Sequence, residues 1–589
     1  MSGQCPLGFK GQMPAAHPPV PGMFRSDVHR VSLLESLRLD WKDWAMFSLD
    51  GLFVVLVLLA LAYPKRLVFT HARKSVPTIA GALPLIGNTL WILRCSTGKD
   101  KLLDAILREQ RNELDRADGQ GNFPLTATFP ALGGRITVLN HPLYIAHVQK
   151  TNFENYVKGS LFRNAMGDVL GLHGIFVADG DVWKRQRKMA SHIFSVANFN
   201  SHIQTTVHHD LGKLDKLLGA LASSGRRVEL QDLFFRFTLD TFTTMAFSAD
   251  IDCLPTDPAA LEKSVEFAVA FDSTQSIMDN RFVDPLKGVL EYLPWNAQGR
   301  KMRDSIRRLK RFCYATIDKR IEAREKGTAG GAEKGGKDLL ELFIQQGLSR
   351  EELLPVVLNF IIAGRDTTAQ TLAWLFWELA TKPDVVAKLR AEADEVLGAG
   401  DDARPMNYDD LKQMPYTHAT FYEASRLHPA VPKNVKQVVA DDVIRPYGPG
   451  SAELLAALPE QKQRLPDVIV KKGESVVWAD YAMARLPELW GADCCEFKPE
   501  RFLEEKDGRQ SIKTFSPFIF HSFNAGPRLC LGQTLATYEG AAVTAQILRS
   551  FDVVYDHEKL RAKPPVYADS LTHPIDPAFV YHVSFKPRA

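Results

Sequence analysis

The spacing of apolar residues along the chain predicts a mainly helical protein. Apolar positions recur with a helical period near residues 102 (LLDAILREQRNEL), 304 (DSIRRLKRFCYATIDKRIEARE) and 383 (PDVVAKLRAEADEVL). Short strand-like runs at 135–140 and 579–585 form a minor part of the chain. The pattern therefore predicts a mainly α fold with a small β region.

The most apolar segment lies near the N-terminus. Residues 52–63 (LFVVLVLLALAY) are all apolar, and with the preceding residues they form a stretch at 45–63 that only Asp50 interrupts with a charge. About 20 apolar residues span a bilayer as a helix, whereas about 10 to 14 are more typical of a buried helix. Trp41 and Trp44 precede the stretch and a basic cluster follows it, as is typical of membrane–water interfaces. The segment is interpreted as a single-pass transmembrane anchor whose C-terminal side is cytoplasmic, with a buried core helix as the alternative.

The remaining chain divides around this anchor. Residues 1–44 are rich in proline and lack periodicity, which predicts a mobile tail. Residues 64–88 are predicted to be a basic, proline-containing connector, and residues 89–589 a compact domain. Within that domain, 451–465 (SAELLAALPEQKQRL) lies between strand-like pieces and is interpreted as a helical insertion.

Composition and charge exclude several classes of protein. The chain of 589 residues is 45% hydrophobic, and its 72 basic and 69 acidic residues give a net charge of only +3, so it must collapse into a globule. A near-neutral balance gives no general attraction to nucleic acid. Seven cysteines are too few and too scattered for a secreted module held together by disulfides, so we expect a reducing compartment.

The helix predicted at 355–379 has an unusual centre. Gly364, Asp366 and Thr367 interrupt its apolar sequence within the hexapeptide AGRDTT. Glycine costs about 1 kcal/mol inside a helix, and a threonine hydroxyl can capture the carbonyl four residues earlier. One interpretation is a tolerated kink. The other is a widened turn that holds the acid and the alcohol against a reaction centre, where they would relay protons.

A second motif combines one acid with two arginines. Glu423 and Arg426 stand three residues apart in EASR, and Arg501 follows within FKPERF. Such a pair on a helix is usually a solvated ion pair. Because the surrounding residues are apolar, the alternative is a buried carboxylate shared by two guanidinium groups.

The strongest candidate for chemistry is Cys530, in the loop FNAGPRLCLG that precedes a predicted helix. Gly526 and Gly532 let backbone N–H groups approach the sulfur, and Arg528 can meet an anion two residues away. An inert buried thiol is the alternative. A zinc site would need further ligands, and the chain has no CxxC pair. A lone thiolate suits an axial position on haem iron.

Together these motifs resemble those of the cytochrome P-450 monooxygenases: AGRDTT, EASR with PERF, and FNAGPRLCLG, in this order. A fourth segment, GIFVADGDVWKRQRK at 174–188, resembles the family's haem-propionate helix. The similarity covers about residues 77–589. The exact residues within these segments resemble those of the fatty-acid ω-hydroxylase branches of plants and fungi. The resemblance implies the cytochrome P-450 fold, with a long central helix over haem and a thiolate loop beneath it.

The resemblance also implies a haem-binding role for each matching residue. Cys530 would be the proximal ligand of the iron, with Phe523 packed beneath the porphyrin, and with Gly526 and Gly532 shaping the loop. The propionates would be held by Trp183, Arg187, Arg528 and Lys436. Most of the family has arginine where Lys436 stands, so its charge is kept and its bidentate geometry lost.

Further roles follow from the same resemblance. Asp366 and Thr367 would deliver protons to the iron-bound dioxygen, with Gly364 making room. A branch of animal fatty-acid hydroxylases bonds haem covalently through a glutamate at the position of Ala363, so haem b is expected to be non-covalent here. A structural triad would be formed by Glu423, Arg426 and Arg501.

The electron supply is expected to be a separate protein. The chain shows no GxGxxG motif and no reductase after the haem loop, so NADPH is expected to act through a flavoprotein reductase of the NADPH-cytochrome P-450 reductase type. Lys184, Arg185 and Lys188 are either part of its docking face or an ordinary solvated helix face. The expected location is the endoplasmic reticulum membrane, with the catalytic domain in the cytoplasm and no nucleic-acid partner.

The substrate is expected to be a hydrophobic small molecule, first of all a long-chain fatty acid hydroxylated at or near its ω end. An alkane, a sterol or a terpenoid is an alternative, since the expected pocket segments are largely apolar. Lys158, Arg163 or Arg281 would hold a carboxylate, unless they are surface charges. A haem-thiolate isomerase or dehydratase acting on lipid hydroperoxides, and a non-catalytic haem- or lipid-binding protein, are further alternatives.

Overall fold

The computed structural model describes residues 76–79, 87–96, 100–116, 125–129, 134–192, 202–283, 285–326, 338–459, 464–579 and 581–588. The predicted tail and anchor lie outside these residues, as does most of the predicted connector. Across the part of the chain that is described, no helix combines the length and the apolar character needed to cross a bilayer.

Helices account for most of the described chain, so the prediction of a mainly helical fold is confirmed. They are α1 Thr89–Ser96, α2 Leu102–Arg116, α3 Pro142–Ala146, α4 Gly159–Leu170, α5 Gly180–Ser191, α6 Gln204–Ser224, α7 Leu230–Phe247, α8 Glu266–Val283, α9 Pro285–Leu290, α10 Ala297–Glu325, α11 Leu339–Gln345, α12 Arg350–Leu379, α13 Pro383–Leu397, α14 Pro415–Leu427, α15 Ala452–Ala457, α16 Asp480–Met483, α17 Pro487–Trp490, α18 Gln533–Ser550 and α19 His557–Ala562. The insertion predicted at 451–465 contains α15, whose Leu454 is buried.

The strands are short and form small sheets. They are β1 Leu125–Phe129, β2 Gly134–Val138, β3 Tyr156–Val157, β4 Val228–Glu229, β5 Asn434–Val438, β6 Asp442–Ile444, β7 Val468–Val470, β8 Ser475–Trp478, β9 Leu503–Lys506, β10 Arg509–Ile512, β11 Phe551–Val554 and β12 His582–Pro587. A five-stranded sheet has the order β1-β2-β8-β5-β3, in which only β2 and β8 are parallel neighbours. The strand-like runs at 135–140 and 579–585 correspond to β2 and β12.

The long helix α12 crosses the largest apolar core of the described residues. A capping box between Ser349 and Glu352 satisfies its first N–H groups, and its thirty residues extend about 45 Å at 1.5 Å each. It packs against α7, α10, α14 and α18. The helix is continuous through AGRDTT, so the widened turn considered for this hexapeptide is wrong.

A second apolar core lies beside the five-stranded sheet. Trp478 of β8 and Phe502 are fully buried in it, together with Tyr144 of α3. The loop that carries Cys530 lies between the two cores, because Ala525 belongs to the second and Leu535 of α18 to the first. The fold therefore holds this loop from both sides.

Candidate functional site

A cavity of about 440 Å³ lies between α12 and the Cys530 loop. Eight of the predicted site residues line it: Trp183, Arg187, Gly364, Thr367, Phe523, Arg528, Cys530 and Gly532. Three more, Asp366, Gly526 and Lys436, stand outside the lining, as do the residues of the acid–arginine motif. The structure thus brings together segments separated by up to about 350 residues in the chain.

The Cys530 loop is shaped by two residues with positive φ. Asn524 has a φ of 66° and Gly526 a φ of 62°, and a Cβ on Gly526 would lie 2.3 Å from the carbonyl oxygen of Gln149. The backbone N–H of Cys530 donates to the carbonyl of Phe523 over 2.8 Å, which closes the loop. Gly526 is therefore required both by its conformation and by the close approach of Gln149.

The environment of Cys530 suits a metal-bound sulfur. Its side chain is exposed to the cavity, while the protein around it shields it from bulk water. Burial raises the pKa of the Cys530 thiol, whereas the N–H of Gly532 and the charge of Arg187 lower it. A metal ion at the sulfur would overcome the effect of burial, because thiolate is the form that binds metals.

A group of cations meets at one side of the cavity, with Asp179 as its nearest carboxylate. Arg528 donates to Asp179 over 3.0 Å, and its guanidinium carbon lies 4.4 Å from the ring centre of Trp183. Burial lowers the pKa of Arg528 to about 10 and that of Lys158 to about 7. Lys436 is 4% exposed, and burial lowers its pKa well below the usual value.

These cations fit the two carboxylates of a haem. In the described structure, the Nζ of Lys436 and the Nε of Arg528 are buried and make no hydrogen bond. Buried cations without partners are costly, and an anionic group bound beside them would remove that cost. The residues present therefore fit haem: a cavity, an accessible cysteine at its wall, and cations at its edge. The surface-charge alternative is wrong for Lys158, which lines the cavity.

The two other cations considered for a carboxylate are already paired. Arg281 is 7% exposed, and its guanidinium contacts Asp168 and Glu291, each over 2.8 Å. Arg163 pairs with Asp179 over 3.4 Å at the surface. Neither residue lines the cavity.

Asp366 lies behind the cavity wall, fully buried. Its carboxyl group accepts hydrogen bonds from the guanidinium of Arg365, over 2.9 Å, and from the amide of Gln275. Burial raises its pKa to about 7, against the opposing effect of Arg365. Arg365 also donates over 2.8 Å to Asp272, whose side chain is 54% exposed. A carboxyl group that titrates near neutrality can both hold and release a proton, and this one is linked to the surface.

Thr367 contacts a backbone carbonyl of its own helix, and Gly364 lies against an aromatic ring. The Thr367 hydroxyl donates to the carbonyl of Ala363 over 2.7 Å, as the sequence predicted for a threonine in a helix. A Cβ on Gly364 would lie 2.0 Å from Cδ2 of Phe242, so this glycine admits the phenyl ring of Phe242 against α12. The role of Gly364 at the reaction centre stays a prediction.

The acid–arginine motif is a buried unit, so the solvated-face interpretation is wrong. Glu423 is 0% exposed, and its carboxylate accepts hydrogen bonds from the Nε of Arg426 over 2.7 Å and from the Nε of Arg501 over 3.3 Å. Arg426 donates further to the carbonyl of Cys494 over 2.8 Å. The hydroxyl of Ser522, next to the Cys530 loop, donates over 2.8 Å to the carbonyl of Ser425. The unit therefore supports the loop from behind.

A second buried network at the loop was not predicted from the sequence. His521 contacts Asp480 through Nδ1 over 2.6 Å and Gln149 through Nε2 over 2.9 Å. The amide of Gln149 then donates over 2.6 Å to Asn524, the residue with positive φ. A histidine inside the apolar run FIFHSF was the only signal, and its partners are far away in the chain.

The basic residues of α5 lie on the surface. Lys184, Arg185 and Lys188 are exposed, and Lys184 pairs with Glu154 over 3.0 Å. Both alternatives, a docking face and a solvated face, are compatible with this position.

Comparison with known proteins agrees with this geometry. The family model described as "Cytochrome P450" matches residues 127–448 and 459–579. The chain is 38% identical over 541 residues to "Cytochrome P450 monooxygenase cyp1" of Mycosarcoma maydis. The matched residues cover 90% of this chain and 78% of the relative. It is 35% identical over 435 residues to "Cytochrome P450 CYP94D109" of Paris polyphylla, covering 71% and 79%. It is 30% identical over 488 residues to "Cytochrome P450 94A1" of Vicia sativa, covering 82% and 86%.

Proposed function

The chain belongs to the cytochrome P450 family of haem-thiolate monooxygenases, and we propose that it hydroxylates a long-chain fatty acid at or near the ω end. The observation that carries this proposal is the apolar wall of the cavity beside Thr367 and Cys530. An alkyl chain is held by such a wall and by few polar groups. The wall includes Phe162, Phe176, Phe271, Phe282, Phe360, Val431 and Val435.

The protein's own residues divide the work as follows. When bound through Cys530, haem supplies the activation of dioxygen and the oxidation of the C–H bond. Lys158, Arg187, Lys436 and Arg528 would hold its propionates at the basic edge of the cavity. The apolar wall would orient the alkyl chain and exclude water.

Proton delivery is assigned to the α12 residues behind the cavity. Asp366 would hold a proton at its buried carboxyl group and pass it toward the cavity, where Thr367 presents its hydroxyl. Arg365 and Asp272 would hold the Asp366 carboxyl group in position, because a guanidinium stays charged and only donates hydrogen bonds. A lipid-hydroperoxide isomerase would have no need for this supply, and product from a hydroperoxide without an electron donor would favour that alternative.

Lys433 supports a substrate that carries a carboxylate. It lines the cavity, and its Nζ lies 2.7 Å from Oδ1 of Asp279, a residue of α8 that is 3% exposed. Burial raises the pKa of Asp279, since the charged carboxylate is poorly solvated there. A substrate carboxylate would replace Asp279 as the ion-pair partner of Lys433, and Asp279 would accept a proton. Alkanes, sterols and terpenoids would make no such exchange.

The experiment is a binding screen with matched ligands. Fatty acids of C12 to C18, their methyl esters and the corresponding alkanes would be compared with sterols, with binding measured as the spin-state shift of the haem. Lys433→Gln should weaken the binding of the fatty acid and leave the alkane unchanged, while Lys472→Gln at the surface serves as control. Tighter binding of alkane or sterol than of fatty acid, followed by the matching product, would replace the proposed substrate.

Electron supply and location complete the proposal. Electrons would come from NADPH through a separate flavoprotein reductase, which would dock against Lys184, Arg185 and Lys188 on α5. The protein would be held at the endoplasmic reticulum membrane by the anchor predicted at 45–63. Exposed apolar side chains after α9 support membrane contact, because Tyr292 is 74% and Trp295 71% exposed.

A further inference from the structure

Two adjacent cysteines stand next to the buried acid–arginine unit, outside the haem site. The Sγ atoms of Cys494 and Cys495 lie 3.9 Å apart, so both side chains point to the same side of the chain. Cys494 is 2% exposed, whereas Cys495 is partly exposed to solvent. A guanidinium N–H of Arg111 donates to the sulfur of Cys495 over 3.6 Å. A cation at a solvent-accessible sulfur favours the reactive thiolate form.

The peptide bond between the two cysteines is held by Arg426. Nη1 of Arg426 donates over 2.8 Å to the carbonyl oxygen of Cys494, which belongs to that peptide bond. The neighbouring carbonyl of Asp493 accepts a hydrogen bond from Arg501. Both arginines pair with Glu423. The dithiol is therefore attached, through backbone carbonyls, to the unit that supports the Cys530 loop.

We propose that Cys494 and Cys495 form a dithiol site that peroxide converts reversibly into a disulfide, and that closing this ring loosens the Glu423–Arg426–Arg501 unit. Adjacent Cα atoms are about 3.8 Å apart, less than the separation of about 4.4 to 6.8 Å that an unstrained disulfide requires. The peptide bond inside the ring must therefore rotate or distort. Its carbonyl is the group that Arg426 holds, so ring closure and this hydrogen bond oppose each other.

The chemistry balances with one peroxide molecule per disulfide. The thiolate of Cys495 attacks hydrogen peroxide, the O–O bond breaks, and a sulfenic acid forms with release of one water after proton uptake. The thiol of Cys494 then attacks this sulfur, the S–S bond forms, and a second water leaves. The two sulfurs together lose two electrons to the peroxide. A dithiol reductant returns them, and the strain in the ring makes this bond easy to reduce.

The first measurement locates the disulfide in the holoenzyme. Trypsin releases residues 486–501 (LPELWGADCCEFKPER), a peptide whose only cysteines are the two in question. After limiting peroxide and alkylation in denaturant, this peptide should have lost about 2 Da and taken up no alkyl group, and dithiothreitol should reverse both changes. Alkylation of both cysteines in that peptide after peroxide treatment would overturn the proposed site.

The second measurement tests the link to the acid–arginine unit. Haem transfer to an excess of apomyoglobin should be about tenfold faster after oxidation, the factor expected for one lost hydrogen bond to a charged group. Cys495→Ser should form no disulfide and show no acceleration, while Cys95→Ser should behave like the unchanged protein. A disulfide without faster haem loss, or equal acceleration in Cys495→Ser, would overturn the coupling. This outcome is independent of the substrate proposed above.

Discussion

At the scale of single residues, the partners that compensate for burial distinguish Asp366 from Glu423. Glu423 is equally buried, yet it lies between two guanidinium groups and a backbone N–H, and serves as a structural anchor. Asp366 has one guanidinium, shared with Asp272, and one amide. With weaker compensation, burial raises the pKa of Asp366 to about 7. A buried carboxyl group is therefore held as a paired anion in one place, while in the other its pKa lies near neutrality.

Asp366→Asn should lower the rate of product formation by about 100-fold or more, the contribution typical of a positioned acid. The haem spectrum and the substrate-induced spin shift should remain, because neither depends on a proton at this position.

The dependence of stability on pH offers a second measurement of the state of Asp366. The pKa of Asp366 is raised from 3.8 to about 7 on folding, so the folded state binds more protons than the unfolded state across that window. This group's stabilising contribution is complete below pH 4 and is lost as the pH rises toward about 7.

Asp366→Asn should remove that part of the pH dependence, which amounts to at most about 1.4 kcal/mol per pH unit. Urea unfolding at several pH values between 4 and 8 measures it. Asp272→Asn removes a nearby negative charge that helps to raise the pKa of Asp366, so it should reduce this pH dependence without abolishing it. Equal stability profiles for Asp366→Asn and the unchanged protein would contradict the raised pKa.

The cations at the cavity edge give a prediction about haem retention. Lys436→Ala and Lys158→Gln should each accelerate haem loss by about tenfold, because each removes a charge-assisted contact to a propionate. Lys436→Arg should slow haem loss, since it restores a bidentate donor. Transfer of haem to apomyoglobin measures these rates. Unaltered haem loss in Lys436→Ala would mean that this lysine makes no propionate contact.

At the scale of elements, the Cys530 loop depends on contacts that are distant in sequence. Asn524 holds a positive φ because its side chain accepts hydrogen bonds from Gln149 and from the N–H of Ala525. Gln149 is in turn held by His521, and His521 by Asp480. The loop conformation is therefore fixed by a chain of polar contacts that begins at the N-terminus of the short helix α16.

His521→Phe should destabilise the protein by about 3 kcal/mol, because it leaves Asp480 buried beside fewer donors. The more specific expectation concerns the thiolate. A fraction of the reduced, carbon monoxide-bound protein should lose the red-shifted Soret band, as the loop no longer holds Cys530 in place. The single variants Asp480→Asn and His521→Gln and their double variant should be non-additive in the size of this fraction. Additive effects would show that the contact has no role in the loop.

Elements built from contiguous residues could be predicted from the sequence, whereas contacts across the chain could not. AGRDTT and FNAGPRLCLG carry their chemistry in neighbouring residues, and the structure places both at one cavity. The pair of His521 and Asp480 joins residues 41 positions apart, and the contact with Gln149 spans 372. Neither periodicity nor spacing contains that information. Lys158 was proposed from the sequence to hold a substrate carboxylate. Its position relative to Arg528 and Lys436 is a property of the fold, so the sequence could not show that it belongs with them.

At the scale of the whole molecule, two cores of different composition meet at the thiolate loop. The larger core is helical and includes α12, and the smaller packs on the five-stranded sheet. The cavity extends between them, with Thr367 on the helical side and Cys530 between the cores. Residues exposed after α9 lie on a surface that neither core covers. The proposed catalytic site and the proposed membrane contact thus lie on different parts of the molecule.

Membrane association should therefore depend on two separate features. Removing residues 1–63 deletes the predicted anchor, and we expect the shortened protein to bind phospholipid vesicles weakly and reversibly through the apolar side chains after α9. Adding Tyr292→Ser and Trp295→Ser to the shortened protein should abolish that binding, because these are the most exposed large apolar side chains described. Flotation with vesicles measures both steps, and the haem spectrum confirms that the fold is intact.

As a control, Leu172→Ser removes an apolar side chain that is 57% exposed elsewhere on the surface. If this control weakens flotation as much as the double substitution, the surface after α9 has no special role. If the shortened protein does not float at all, the anchor alone accounts for membrane binding.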